Sequence, residues 1–366
     1  MRKLLLILLL CPLFITQCFA QDLPERIGEL SGTDRLSEDL PKDVRQISGD
    51  LRLDGGYDTE GALRRLWEHA LKSIRTQLSA SFHAAAELFL VALLCAVSAC
   101  FCSNNRMREI IDRIGCCTIS VLISGSLTEM FTHAADIVGR LSEYSHAVLP
   151  VLFMTAAAGG GVLSASARFA SACLSMDVLI TASQTIVLPL IYVFFSLSVC
   201  QGLYENSILQ TAAKMSKWCA TTAMTVLTTA FGIYLSITGL ITGSSNALSV
   251  KTARTLISRS LPVVGALLAD SASVLLAAAG IVKNSVGVFA MISVSAFCLE
   301  PVVSFSVRLL IYKGMATAVD FMPGARLPKL INAMGSVYGM MLGLIGCCAA
   351  ILFMSIVSGI KVISLT

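Results

Sequence analysis

The chain has 366 residues, of which 14% are charged and 55% apolar, with a formal net charge of +4. Soluble domains carry about a quarter charged residues, so this composition argues against a single soluble domain. The positive balance is small and dispersed, and no basic stripe with interleaved aromatics marks a nucleic-acid surface. Of the 23 acids, twelve lie in residues 21–80, so a polar head precedes a hydrophobic body.

Residues 1–20 open with Arg2 and Lys3, continue through an apolar run Leu4–Ile15, and end with Cys18 and Ala20. That is the layout of a secretory signal cleaved after Ala20, with an uncleaved anchor as the alternative. Residues 21–58 are rich in Asp, Glu, Gly and Pro without sustained periodicity, which predicts a flexible or only partly ordered extracytoplasmic segment. From Thr59 onward Leu63, Leu66, Trp67, Ala70, Ile74 and Leu78 recur at helical spacing opposite Arg64, Arg65, Lys72 and Arg75. Such a basic amphipathic helix to about residue 80 lies on a membrane surface, docks a partner helix, or simply leads into the first span.

Beyond residue 80, apolar runs near twenty residues read as membrane spans. They fall at about 84–102, 114–132, 148–166, 174–200, 218–242, 261–282, 285–307 and 330–358. The fold class expected is therefore all-α: a polytopic helical membrane protein with about eight transmembrane helices over residues 81–366. Lys and Arg in short loops orient the spans. The loops expected inside hold Arg106, Arg108, Arg113, Arg168, Lys251, Arg254, Arg259, Arg308, Lys313, Arg326 and Lys329, against Arg140, Lys214, Lys217 and Lys283 outside.

Leu149-Pro150-Val151 recurs as Leu261-Pro262-Val263, at an offset that also relates Pro189 to Pro301 and Lys217 to Lys329. Taken as a duplication, this gives three spans per copy and hence inverted three-helix repeats, a common transporter plan. Gly159-Gly160-Gly161 in the third span fits a broken helix there, or equally close packing of small residues.

Glu87, Glu129, Asp177, Asp270 and Glu300 fall within or at the ends of expected spans. Ionisable groups in hydrocarbon are costly, so each faces protein, a water-filled path or the interface; Asp270 and Glu300 sit deepest, with Arg254, Arg259 and Lys283 as candidate partners. Most of the 13 cysteines lie in apolar segments and read as small apolar helix residues. No phosphate-binding GxxxxGK[ST], HExxH, CxxC or GxSxG motif occurs, so neither catalysis nor a cofactor is expected, and His83 with Glu87 is a weak metal pair.

The stretch Val250-Lys251-Thr252-Ala253-Arg254-Thr255-Leu256-Ile257-Ser258-Arg259-Ser260-Leu261-Pro262-Val263-Val264-Gly265 resembles the signature of the stage III sporulation protein AE family. Asp270, Val282-Lys283-Asn284-Ser285-Val286-Gly287 and Leu310-Ile311-Tyr312-Lys313 fall where that family has similar residues. The resemblance covers roughly residues 80–360, and the lysine-threonine-alanine-arginine run into proline-valine-valine-glycine is its most specific part. It implies a permease-like component of a channel complex in the mother-cell membrane around the forespore. The partners it implies are the other stage III sporulation A operon proteins, an ATPase and ring-forming members among them, and indirectly stage II sporulation protein Q. It singles out Lys251, Arg254, Arg259, Pro262, Gly265, Asp270 and Lys283, to which the intramembrane position adds Glu300. A non-conducting scaffold that anchors the ring proteins is the alternative.

Overall fold

The computed structural model describes residues 42–48, 58–102, 104–158, 162–204, 206–260, 264–322 and 326–361, with the side chains at 42–43, 155–168, 171, 235–284 and 359–361 left out. The elements are α1 (Lys42–Ser48), α2 (Thr59–Cys100), α3 (Asn105–Ala158), α4 (Val162–Ala182), a π-helical turn (Ser183–Val187), α5 (Leu188–Leu203), α6 (Ser207–Ser260), α7 (Val264–Asp320) and α8 (Arg326–Lys361). Among the described residues there is no strand, as the all-α expectation requires. Helices keep every backbone hydrogen bond within the segment, the arrangement an apolar surrounding demands. Five stretches are long and apolar enough to cross a membrane: Thr59–Cys100, Asn105–Met154, Ala172–Leu203, Ser285–Asp320 and Arg326–Ser358.

The count of eight is not reached among the described residues. The expected second span and the start of the third are parts of α3, one unbroken helix of 54 residues. The expected sixth and seventh spans share α7, of 57 residues, and Lys283 lies within that helix rather than in a loop. The amphipathic stretch expected from Thr59 and the first expected span lie on one continuous helix, α2, from Thr59 to Cys100. Asp58 starts that helix by accepting a hydrogen bond from Gly61 N at 2.9 Å, satisfying one of its orphan donors. Residues 42–48, expected in a partly ordered stretch, form α1 and bury Val44 and Ile47. The leader and the triple glycine lie outside the described residues.

At the centre is α8, which touches α3, α4, α5, α6 and α7. Its Met334, Tyr338, Met341, Ile345, Cys348, Leu352 and Ile356 are buried at three- and four-residue spacing, with Leu344 widening the stripe. The hairpin it makes with α7 is antiparallel: Lys313 reaches Asn332, and Tyr312 stacks on Tyr338 with ring centroids 5.0 Å apart.

Three turns gather at one end of the bundle. Arg326, at the start of α8, reaches Glu109 near the start of α3 at 2.9 Å and donates to the carbonyl of Leu203 at the end of α5 at 3.3 Å. Phe101, Tyr204 and Phe321 are exposed, one in each of the three turns, and Trp218 is exposed further along α6. Trp218, eleven residues and about 16 Å along α6 from its turn, marks the level of a membrane–water interface, with the three turns beyond it.

This geometry overturns the orientation expected from the loops. Lys217 and Lys313, assigned to opposite sides, both bond Ser336, at 3.2 and 3.3 Å. Merging the second and third spans into α3 removes one crossing and inverts the sense of the helices that follow. The offset that aligned Lys217 with Lys329 therefore pairs residues at the same end, against an inverted relation. Pro150 and Pro301 lie inside long helices, whereas Pro189 follows the π turn at the start of α5, and Pro262 is outside the described residues.

Candidate functional site

About 30 Å along α7 from its turn, a cleft of about 140 Å³ opens between α1, α2, α3 and α7. Its α3 wall is His133, Asp136, Ile137 and Arg140, spaced to share one helix face. Arg140 Nε meets Asp136 Oδ2 at 2.9 Å across one turn of α3. The α7 wall is Ala296, Phe297, Glu300 and Pro301, and α2 contributes His69. Pro301 carries no N–H, so the Phe297 carbonyl in this wall lacks its usual helical donor.

Val44 and Ile47 of α1 line the same cleft, and Arg65 of α2 ties α1 down by donating to the Ile47 carbonyl at 3.1 Å. Aromatic contacts fix α3 against α7 on both sides of the cleft. Tyr144 packs on Phe297 with centroids 5.0 Å apart, and His133 on Phe305 at 6.4 Å. One step further along, His146 meets Asp177 of α4 at 3.2 Å. A cleft carrying two carboxylates, two imidazoles and a guanidinium offers hydrogen-bond donors and acceptors to water or a small polar solute.

The carboxylate singled out by its depth in the sequence, Glu300, is exposed in this cleft rather than enclosed in the helix bundle. Glu87, Glu129 and Asp177 are exposed as well. Lys251, Arg254 and Arg259 fall on α6, and Gly265, Asp270 and Lys283 on α7. Their side chains lie outside the described residues, as does Pro262 altogether. His133, Asp136 and Arg140 were missed as a group because residues 133–147 read as a loop. Their spacing was nevertheless a helical signal in plain view. Among the described residues, no three or more His, Cys, Asp or Glu side chains are grouped to hold a metal ion.

The other end is polar in a different way. Arg326 has a side chain only 9% exposed, and its partner Glu109 also holds Arg113 at 2.7 Å. One carboxylate thus joins two guanidiniums, and a backbone carbonyl takes up another donor. This end is closed by paired groups.

Helices of membrane-crossing length and composition, a basic end with an aromatic rim, and a polar cleft at the other end define a helical membrane protein. A family model for stage III sporulation protein AE matches residues 52–362, and the chain belongs to that family. Stage III sporulation protein AE of Bacillus subtilis (strain 168) is 23% identical over 199 residues, covering 54% of this chain and 50% of that protein. The match therefore spans about half the length of the curated relative. No solved structure matches.

Proposed function

We propose that this protein is the multispanning, permease-like membrane component of a sporulation channel complex between mother cell and forespore, required for late forespore development. The observation that carries the reading is the cleft at Glu300, a cluster of ionisable groups set into an otherwise apolar helical body. Family membership supplies the sporulation context. In this reading the ATPase and ring-forming proteins of the stage III sporulation A operon are its partners, the mother-cell membrane around the forespore is its site, and any driving energy comes from a partner or an ion gradient.

The test is a spore-forming host that carries Glu300→Gln together with Asp270→Asn as its sole copy. Heat-resistant spores should fall sharply while the membrane-bound protein accumulates at its normal level. A normal spore count from that strain would remove the permease-like reading.

A second reading, a non-conducting scaffold for the ring proteins, is favoured by α2. Leu63, Trp67, Leu71, Ile74 and Leu78 form an exposed apolar stripe on its extension, 41–65% accessible, with Glu87 further along the same helix also exposed. Trp67→Ser with Leu71→Ser should then abolish co-purification of the ring-forming proteins, whereas the permease-like reading leaves that association intact.

A further inference from the structure

At the closed end, two lysines from different helices converge on one hydroxyl with no acid to balance them. Lys217 Nζ donates to Ser336 Oγ at 3.2 Å, and Lys313 Nζ donates to the same oxygen at 3.3 Å and to Asn332 Oδ1 at 2.6 Å. Ser336 spends its own proton on the Asn332 carbonyl at 3.2 Å. A hydroxyl has two lone pairs, so Ser336 is saturated, while each ammonium has three donors and these partners occupy only half of the six. Neither lysine forms an ion pair with a carboxylate among the described residues.

The arrangement is built rather than incidental to two mobile side chains. Lys313 lays its stem over Gly335, where an added Cβ would meet its Cγ, Cδ and Cε at 3.1–3.3 Å. Lys217 stands over the Phe194 ring, 5.9 Å from its centroid. The side chains are held close together by three helices and one aromatic face, an arrangement that like charges oppose until an anion sits between them. Lys329 shares the α8 face of Asn332 and Ser336, and Lys214 precedes Lys217 by nearly one turn of α6.

Depth selects the class of anion. Ser336 lies ten residues into α8, about 15 Å from the turn at about 1.5 Å per residue. Trp218, 63% exposed, adjoins Lys217. An exposed tryptophan marks the level where headgroup meets hydrocarbon, and basic clefts between helices bind lipid phosphates there. We propose that Lys217 and Lys313, on the platform of Ser336 and Asn332, form a phosphate-binding site whose occupant is the headgroup of an anionic membrane lipid or a free phosphate ion. The inference is independent of what the protein conveys.

The full chain is reconstituted in phosphatidylcholine nanodiscs, with or without phosphatidylglycerol, and separately in phosphatidylcholine with inorganic phosphate added. For wild type, one of the two phosphate sources should raise the unfolding midpoint by about 3 °C. A rise with phosphatidylglycerol alone identifies a lipid site; a rise with inorganic phosphate identifies a free-anion site. Lys217→Gln with Lys313→Gln should abolish that rise, while Lys214→Gln keeps it. Should the double variant fail to fold, Gly335→Ala retains both charges but displaces the Lys313 stem, and should weaken the same response. An equal rise in wild type and in the Lys217/Lys313 or Gly335 variants, or no rise with either source, overturns the site.

Discussion

The α7–α8 hairpin and the α2–α3 hairpin turn at the same end of the molecule, yet they occupy opposite roles. In the most apolar stretch of α8, 56% of residues are buried within the protein, against 28% for α2 and 28% for α3. Polarity separates the two pairs only in part, since the outward faces of α2 and α3 also carry Phe82, Leu90, Leu94 and Val121. Coverage separates them: α8 is surrounded by α3, α4, α5, α6 and α7, with Leu309 and Met224 packed at Gly339 and Gly343, whereas α2 and α3 each turn a face outward. Lipid is as apolar as leucine, so helices in it are drawn together by close packing over small residues rather than by hiding hydrophobic surface.

That comparison can be broken by substitution, and the effects should fall in a definite order. Tyr338→Ala removes a fully buried ring stacked on Tyr312 and should cost about 3–5 kcal/mol, read as loss of the folded protein in detergent melts. Arg326→Ala should cost about 2–3 kcal/mol, less than a fully buried pair, because Arg113 remains beside Glu109. Its signature is protease cleavage at the three turns before the bundle melts.

Gly339→Leu should cost about 1–3 kcal/mol by overpacking against Leu309, whereas Gly339→Ala, meeting it at ordinary van der Waals distance, should be tolerated in the same melts. Val121→Ala, at a side chain 73% exposed on α3, should shift stability by less than about 0.5 kcal/mol. If Val121→Ala proves as damaging as Tyr338→Ala, α3 is covered by protein on its outer face and the contrast between the hairpins fails.

The sequence gives away the elements whose apolar run coincides with a whole helix. The last span, expected at 330–358, lies inside α8, and the amphipathic pattern from Thr59 lies inside α2. It conceals continuity where composition changes along a helix. His133, Asp136, Arg140 and Glu143 read as a loop because span counting treats a polar stretch as an exit from the membrane. Backbone hydrogen bonding is indifferent to that change, so α3 carries on through it. Half of the cleft was therefore legible in the spacing of one helix. The remainder, His69 and the cover supplied by α1, depends on contacts between residues far apart in the chain. The tie between Arg326 and Glu109 spans 217 positions and leaves no local trace.

The unbroken course of α3 also sets a distance. Its stretch from Asn105 to Met154 contains 50 residues, a rise of about 75 Å, while a hydrocarbon layer is about 30 Å thick. More than half of its length is surplus to the crossing, and Phe297 and Asp177 brace it against its neighbours. Its far turns are kept at a fixed standoff from the lipid, set by residue count and tilt rather than by loop slack. Deleting two turns would lower that reach by about 11 Å and, because Val148, Leu149 and Leu152 are buried, would also shift the register of its packing.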